Sequence, residues 1–405
     1  MKVRVATIPA ELAALEPRWA ALAQGRPFLG PAWMAVWWRH FGKPASERGR
    51  GPEPAIVSVT DRAGQVVAIA PWYLEPSLLH GRTLRFLGSG EVCTEYPTLL
   101  CEPETESEAI AAVADWLSDD SPRERATALP AWDMLSFTGI DVADRRIERL
   151  CEELAARGAV VHERPAARCW RLELPADWES YLAILSKSHR KRVRRLERVY
   201  FESGRARCRV VRSPDELEQG HRVFTDLHAK RWAALGQSGM FRQTALHAFH
   251  REAVERLLAR GELRLSWIEL DGRPVAAEYS LQGNGIIYAY QAGMDPEAGE
   301  HQPGTLSLIA TLKGAIAEGM TAIDFLRGDE PYKQHWRAEP RPTRELRVVS
   351  DRLPSRLRHN VWQAAARAKG WLKNGRKAVL TCVPFGTGER FRAPAEEEEA
   401  DGSAA

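Results

Sequence analysis

A β-hairpin, a further strand, a helix and a buried strand follow one another twice along this chain of 405 residues, and that repetition constrains the fold more than any other feature. The first copy opens with AIVSVTDRAGQVVAIAPWYLE, two apolar runs around a turn containing Asp61 and Gly64. The second opens with LRLSWIELDGRPVAAEYSLQ, whose Asp271-Gly272 pair favours the tight turn between antiparallel strands. A further strand and then a helix follow each hairpin, at 109–117 in the first half and 306–318 in the second. Each helix leads to an apolar strand carrying an acid, Asp133 or Asp324. The pattern predicts an α/β (α+β) chain of two tandem domains, each a mixed, mainly antiparallel sheet flanked by helices.

The expected boundary lies near residues 162–168, HERPAAR, after which CWRLELP reads as a strand and Asp177 can cap a new helix. This gives a first domain over 1–165 and a second over 166–350. A basic, amphipathic helical extension is expected over 351–388, and EEEEADGSAA closes an acidic tail, 389–405, expected to be disordered. At 44% hydrophobic residues the chain can bury two modest cores. A formal charge of +3 argues neither for nor against nucleic acid, and no DNA partner is expected. Six cysteines with no CxxC pair suit a reducing, cytoplasmic setting. Acids and prolines interrupt the N-terminus before a signal-peptide core develops, and no apolar run approaches the ~18 residues of a membrane span.

The stretches PFLGPAWMAVWWRHFG, LGSGEVCTEYPTLLCEPE, SKSHRKRVRRL, LHAKRWAALGQSGMF, DGRPVAAEYSL, YAYQAGMDP and AEGMTAIDFLRGDEPYKQHW run in order from about residue 27 to 337. With them the chain resembles the CelD/BcsL-type acyltransferases, an outlying group of the GNAT superfamily with paired acetyltransferase-like domains. In layout it is also similar to the Fem-type aminoacyl transferases. The resemblance implies two GNAT-like domains and transfer of an acyl group, acetyl first among the choices, from acetyl-CoA or another acyl-CoA. The implied acceptor is an amine or hydroxyl of a sugar-like or envelope-polysaccharide precursor, as in cellulose biosynthesis.

Such chemistry needs an anion site for the cofactor's phosphates, and a helix N-terminus supplies one. HQPGTLSLIATLKGAIAEG offers Gln302, Gly304 and Thr305 there, although the superfamily's Gly-rich spacing is reduced to QPGT. Gly293, interrupting the preceding strand, reads either as a close ligand approach or as a loose strand end. Asp324 reads as a buried structural acid. Past the Gly328 turn, Asp329 and Glu330 are candidate proton acceptors, Lys333 a candidate oxyanion or thiolate stabiliser, and Tyr332 a candidate proton donor to sulfur. A salt-bridged turn is the alternative for this cluster. Arg327 and Trp336 flank it as candidate substrate contacts.

Wound as one helix, residues 182–200 place Leu182, Leu185, His189, Val193, Leu196 and Tyr200 on one face. Lys187, Arg190, Lys191, Arg194, Arg195 and Arg198 fall on the other. That basic face reads as solvated, or as a contact for an anionic substrate, Arg190 included, for the phosphates of CoA, or for tRNA under the aminoacyl-transfer reading. Arg231 and Trp232 can clamp an anion and close a pocket. Glu95 and Tyr96 are candidate acceptor contacts across the cleft between domains. His247 and His250 have metal-like spacing but no third ligand, so no metal is expected. With no counterpart of QPGT or GDEPYK, the first domain reads as a non-catalytic copy, and a catalytically inactive scaffold for polysaccharide synthesis stands as a third reading. Over 352–377 eight Lys/Arg and no acid accompany an apolar face of Leu357, Val361, Ala364, Ala368 and Trp371, predicting weak contact with an anionic membrane at the inner surface.

Overall fold

The computed structural model describes residues 1–42, 51–77, 80–118 and 131–361. The first sheet holds β1 (Lys2–Ala6), β2 (Glu53–Thr60), β3 (Val66–Ser77), β4 (Gly81–Phe86), β5 (Leu100–Cys101), β6 (Met134–Asp141) and β7 (Val160–Pro165). The second holds β8 (Cys169–Glu173), β9 (Ala206–Val210), β10 (Leu263–Leu270), β11 (Arg273–Gly283), β12 (Ile286–Met294), β13 (Ala322–Arg327) and β14 (Glu339–Arg341). A last strand, β15 (Thr343–Val349), returns to the first sheet. The orders are β1-β2-β3-β4-β6-β15-β7, with β5 on β3, and β14-β8-β13-β12-β11-β10-β9. Each sheet has one parallel pair, β4 with β6 and β12 with β13, among antiparallel neighbours. The mixed, helix-flanked pair of sheets is the expected fold.

In the first half the helices are α1 (Pro9–Ala23), α2 (Pro31–Phe41), α3 (Glu106–Ser118) and α4 (Arg145–Ala156). The second has α5 (Trp178–Ile184), α6 (Lys187–Leu196), α7 (Pro214–Ala234), α8 (Thr244–Ala259), α9 (Pro303–Ala317) and α10 (Pro331–His335), and α11 spans 353–361. Local chemistry sets many of their limits. Asp271 and Gly272 both take the left-handed backbone that a two-residue hairpin turn requires. Asp177 caps α5 by accepting from the Ser180 amide at 2.8 Å. Ser213 and Glu216 close a reciprocal cap on α7.

Two expectations are corrected. Residues 166–350 are not one contiguous unit, because β15 lies between β6 and β7, matching Val348 to Leu135 and Val161. The basic helix over 182–200 is in fact three pieces. Leu185 is extended, Ser186 caps α6 through the His189 amide, and a π-helical turn covers Glu197–Glu202. A serine that accepts from the amide three residues on starts a helix afresh, which overrides a continuous hydrophobic period.

The largest core cluster joins the two halves. Trp33 of α2 sets its ring edge-on to Phe249 of α8 at 4.9 Å and to Tyr290 of β12 at 5.2 Å. Its indole N–H donates to Thr94 Oγ1 at 2.8 Å. Separate clusters fill the space over the far side of each sheet.

Candidate active site

The second sheet opens into a wedge. β12 and β13 pair only at Ile286–Tyr288 with Ala322–Asp324, yet β12 continues to Met294 and β13 to Arg327. The β11–β12 register slips beside Tyr279 and Ser280, a bulge that turns the later half of β12 away from β13. On the other side, Leu326 takes a left-handed φ of 56°, and its amide donates to Asp324 Oδ1 at 2.8 Å. Parallel strands separating in mid-course leave main-chain groups of the inner edges open to a ligand with amides of its own.

The N-terminus of α9 stands beside β12, which it follows in the chain. No acid lies in its first turn, and Gln302 at its cap holds a left-handed φ of 56°. Gln302 Oε1 accepts from Arg192 Nη2 at 2.5 Å, so α6 delivers a guanidinium to this helix start. A β-carbon at Gly304 would meet no atom within 4 Å, and Thr305 is half-buried. Free amides, a fixed cation and open space form an arrangement that favours an anion. Arg192 was left out of both faces of the predicted helix. It flanks the apolar seam of His189 and Val193, and that flanking position was the signal available in the sequence.

Beyond β13, several predicted residues have other roles. Lys333 is 1% exposed. Its ammonium donates to the carbonyls of Leu326 (3.2 Å), Arg327 (2.9 Å) and Gly328 (3.0 Å), and pairs with Glu330 at 3.0 Å. All its donors are used within the turn, so Lys333, with Glu330 beside it, pins the end of β13. Burial lowers the Lys333 pKa and the Glu330 carboxylate opposes that shift. Gly328, at φ 114°, has no room for a β-carbon, which would fall 2.5 Å from Glu330 Oε2. Asp329 accepts from Arg168 Nε at 3.2 Å and Trp170 Nε1 at 3.0 Å. Hydrogen bonding from Arg168 leads the lowering of its pKa, which makes it a poorer proton acceptor. Trp336 is buried beside His189 at 4.6 Å and serves the core. Gly293 answers to packing: a β-carbon there would fall 2.4 Å from the His228 amide of α7.

Tyr332 stands differently. Its ring packs edge-on to Phe325 of β13 at 5.9 Å, and 42% of the residue is exposed. Its hydroxyl lies among desolvating atoms, which raise its pKa above the usual phenol value, and Glu330 adds to the rise. Arg231 of α7 and Glu278 of β11 also act electrostatically on it. From α10 the phenol thus stands over the end of β13, partly open to solvent. Arg231 donates to the Ala292 carbonyl on β12 at 3.5 Å, whereas the Trp232 indole turns to His228 at 2.8 Å. Arg190 donates to the Leu185 carbonyl at 3.4 Å on its own helix start.

Glu95, Tyr96 and Arg327 come together at the seam between halves. Arg327 pairs with Glu95, and the Tyr96 hydroxyl donates to Asp324 Oδ2 at 2.8 Å. Arg341 stacks over the Tyr96 ring at 4.6 Å and donates to Asp141 at 2.7 Å. Burial pushes the Asp324 pKa up to about 6 against the pull of these hydrogen bonds. Beside the seam an open groove of about 660 Å³ is lined by Arg171, Glu173, Gln334, Arg337, Glu339 and Arg341, among others. Among the described residues no cluster of His, Cys, Asp or Glu could hold a metal ion, and no helix is long and apolar enough to cross a membrane.

The wedge and its anion-favouring helix start lie within a recognised domain. Residues 187–334, from α6 to α10, match the family of the Acetyltransferase (GNAT) domain. Among solved structures, one described as FemX is 12% identical over 85% of this chain and 97% of its own, with a TM-score of 0.57. A tandem GNAT protein from the clavulanic acid biosynthesis pathway is 13% identical over 87% and 99% of the two chains, with a TM-score of 0.41. No curated protein matches the sequence.

Proposed function

We propose that this chain transfers an acyl group, acetyl in the simplest case, from acyl-CoA to an amine or hydroxyl. The observation that carries the reading is the wedge between β12 and β13 with the acid-free start of α9 beside it. Gln302, Gly304, Thr305 and Arg192 would receive the diphosphate, and the open main chain of β12 would receive the pantetheine amides. The acceptor's nitrogen or oxygen bonds to the thioester carbonyl carbon and releases its proton to solvent water, the carbon–sulfur bond breaks, and the departing thiolate takes a proton. Tyr332, protonated at neutral pH as a phenol is, is the donor for that proton and regains one from solvent.

The acceptor belongs in the groove of Arg171, Glu173, Gln334, Arg337, Glu339 and Arg341. Its mixed charges suit a polar, hydroxyl-rich molecule such as a sugar-like or envelope precursor, and polysaccharide biosynthesis is the setting we assign. A second reading, aminoacyl transfer from charged tRNA, is favoured by one observation. Lys187, Lys191 and Arg195 on α6 and Arg198 on the π-helical turn after it are exposed and form no ion pair among the described residues.

Calorimetric titration with acetyl-CoA and, separately, with charged tRNA tests the donor. Acetyl-CoA should bind, and Gly304→Val should weaken it at least tenfold with an unchanged circular dichroism spectrum. Wild-type affinity in a folded variant would remove the anion site from α9, and binding of tRNA alone would favour the second reading.

A further inference from the structure

The short helix α11 is docked inside out. Its polar side holds it to the first domain. Ser355 Oγ donates to Asp133 at 2.7 Å, Arg358 Nη1 donates to the same oxygen at 2.9 Å, and Arg356 Nη2 donates to the Gly158 carbonyl at 2.7 Å. The His359 ring stacks on His162 at 4.5 Å. Its apolar side chains consequently face away, with Leu353 70% exposed, Leu357 56% and Val361 69%. Spaced four apart, they form one stripe. An amphipathic helix on a globular protein ordinarily buries that stripe against the core. Here specific hydrogen bonds hold it outward.

We propose that this stripe rests on the surface of an anionic bilayer, with Leu353, Leu357 and Val361 entering the boundary between headgroups and acyl chains. Charge selects this occupant over the others. After Val361 the sequence adds five more Lys/Arg by Lys377 and no acid before Glu389, which complements anionic lipid. Two copies of the same stripe facing each other would bring like charges together. The sequence beyond α11 repeats the apolar spacing at Ala364, Ala368 and Trp371, which lie outside the described residues, as do the rest of the expected 351–388 extension and the acidic tail over 389–405. Three side chains on a helix this short give weak, reversible attachment that salt can weaken. The inference stands apart from acyl transfer.

Co-sedimentation of the full chain with vesicles tests it, comparing phosphatidylglycerol-rich with purely phosphatidylcholine vesicles at low and high salt. The full chain should bind the anionic vesicles at low salt and be released at high salt. The triple variant L353S/L357S/V361S should bind about tenfold less or worse, with an unchanged melting curve because the altered side chains are already exposed. Equal binding by the variant, or no binding of the full chain to anionic vesicles, overturns the proposal. Two results would name another occupant. Concentration-dependent dimers abolished by the triple variant, without vesicle binding, would assign the stripe to a second copy. Binding seen only in a chain ending at Gly388 would assign the acidic tail as its cover.

Discussion

The first and second sheets place the same elements around a helix, and they treat the start of that helix in opposite ways. α3 begins with Glu106 and Glu108 in its first turn, whereas α9 has no acid there. Glu106 is also committed, accepting from Arg146 Nε at 2.5 Å. Carboxylates beside the free amides satisfy them and repel phosphate, so the first copy has neutralised the feature that the second keeps available. The parallel pairs are alike in brevity, β4 meeting β6 at only two positions. Topology alone therefore does not make a cofactor site. The electrostatics of one helical turn separate a helix start open to an anion from one that is closed to it.

The largest effect should come from the turn at the end of β13. Removing one member of a buried ion pair strands the other, so Lys333→Met should cost about 3–5 kcal/mol in urea unfolding. The corresponding end of β6 relies on Arg341 and Asp141, where the Arg341 side chain is 33% exposed. Arg341→Met should cost less, and equal losses would erase this contrast.

Next comes the acid inside the seam. Asp324 holds its proton to about pH 6 in the fold, against an ordinary value of 3.8. Between those values the folded chain binds a proton that the unfolded chain has released, so this group makes the fold less stable as pH rises through that window. Relative to Asp324→Asn, the wild type should lose about 2–3 kcal/mol between pH 4 and pH 7. Parallel stability curves for the two proteins would contradict the assignment.

Tyr332→Phe should lower turnover about ten- to hundredfold with acyl-CoA affinity little changed, as expected for loss of a proton donor. Unchanged turnover on a working acceptor would return Tyr332 to a packing role. The smallest effects address the comparison itself. Thr305→Glu makes α9 resemble α3 and should weaken acetyl-CoA about fivefold, since the first turn's charge preference is worth roughly 1 kcal/mol. The double change Glu106→Gln and Glu108→Gln should free Arg146 beside an acid-free α3 start and give weak phosphate binding there that the wild type lacks, and no such binding by calorimetry would mean that the charge of one turn does not decide the contrast.

Local chemistry made much of the fold legible in the sequence. Asp271-Gly272 defined a hairpin, Asp177 a cap, and Pro303-Gly304 a helix start, because each acts on backbone within a few residues. What spans the chain was not legible. Nothing in the periodicity of 343–349 shows that it pairs with Leu135 rather than with a neighbour in sequence. The site divides along the same line. The start of α9 was visible, but Lys333 was taken for a reactive cation because only the assembled turn places three carbonyls around its ammonium. The pairing of Glu95 with Arg327 brings together residues 232 positions apart.

The return of β15 has a consequence for how the chain is made. β7 hydrogen-bonds only to β15 within its sheet, and the paired Arg164 and Glu345 stand 181 positions apart. At bacterial and eukaryotic elongation rates, that separation amounts to roughly ten to forty seconds of synthesis. Throughout that interval the nascent first half presents β7 and the free edge of β6 with the intervening strand still unmade. The first sheet cannot be completed until nearly all of the second has left the ribosome, so the two halves mature as a single order of assembly, with the later half supplying the strand that finishes the earlier one.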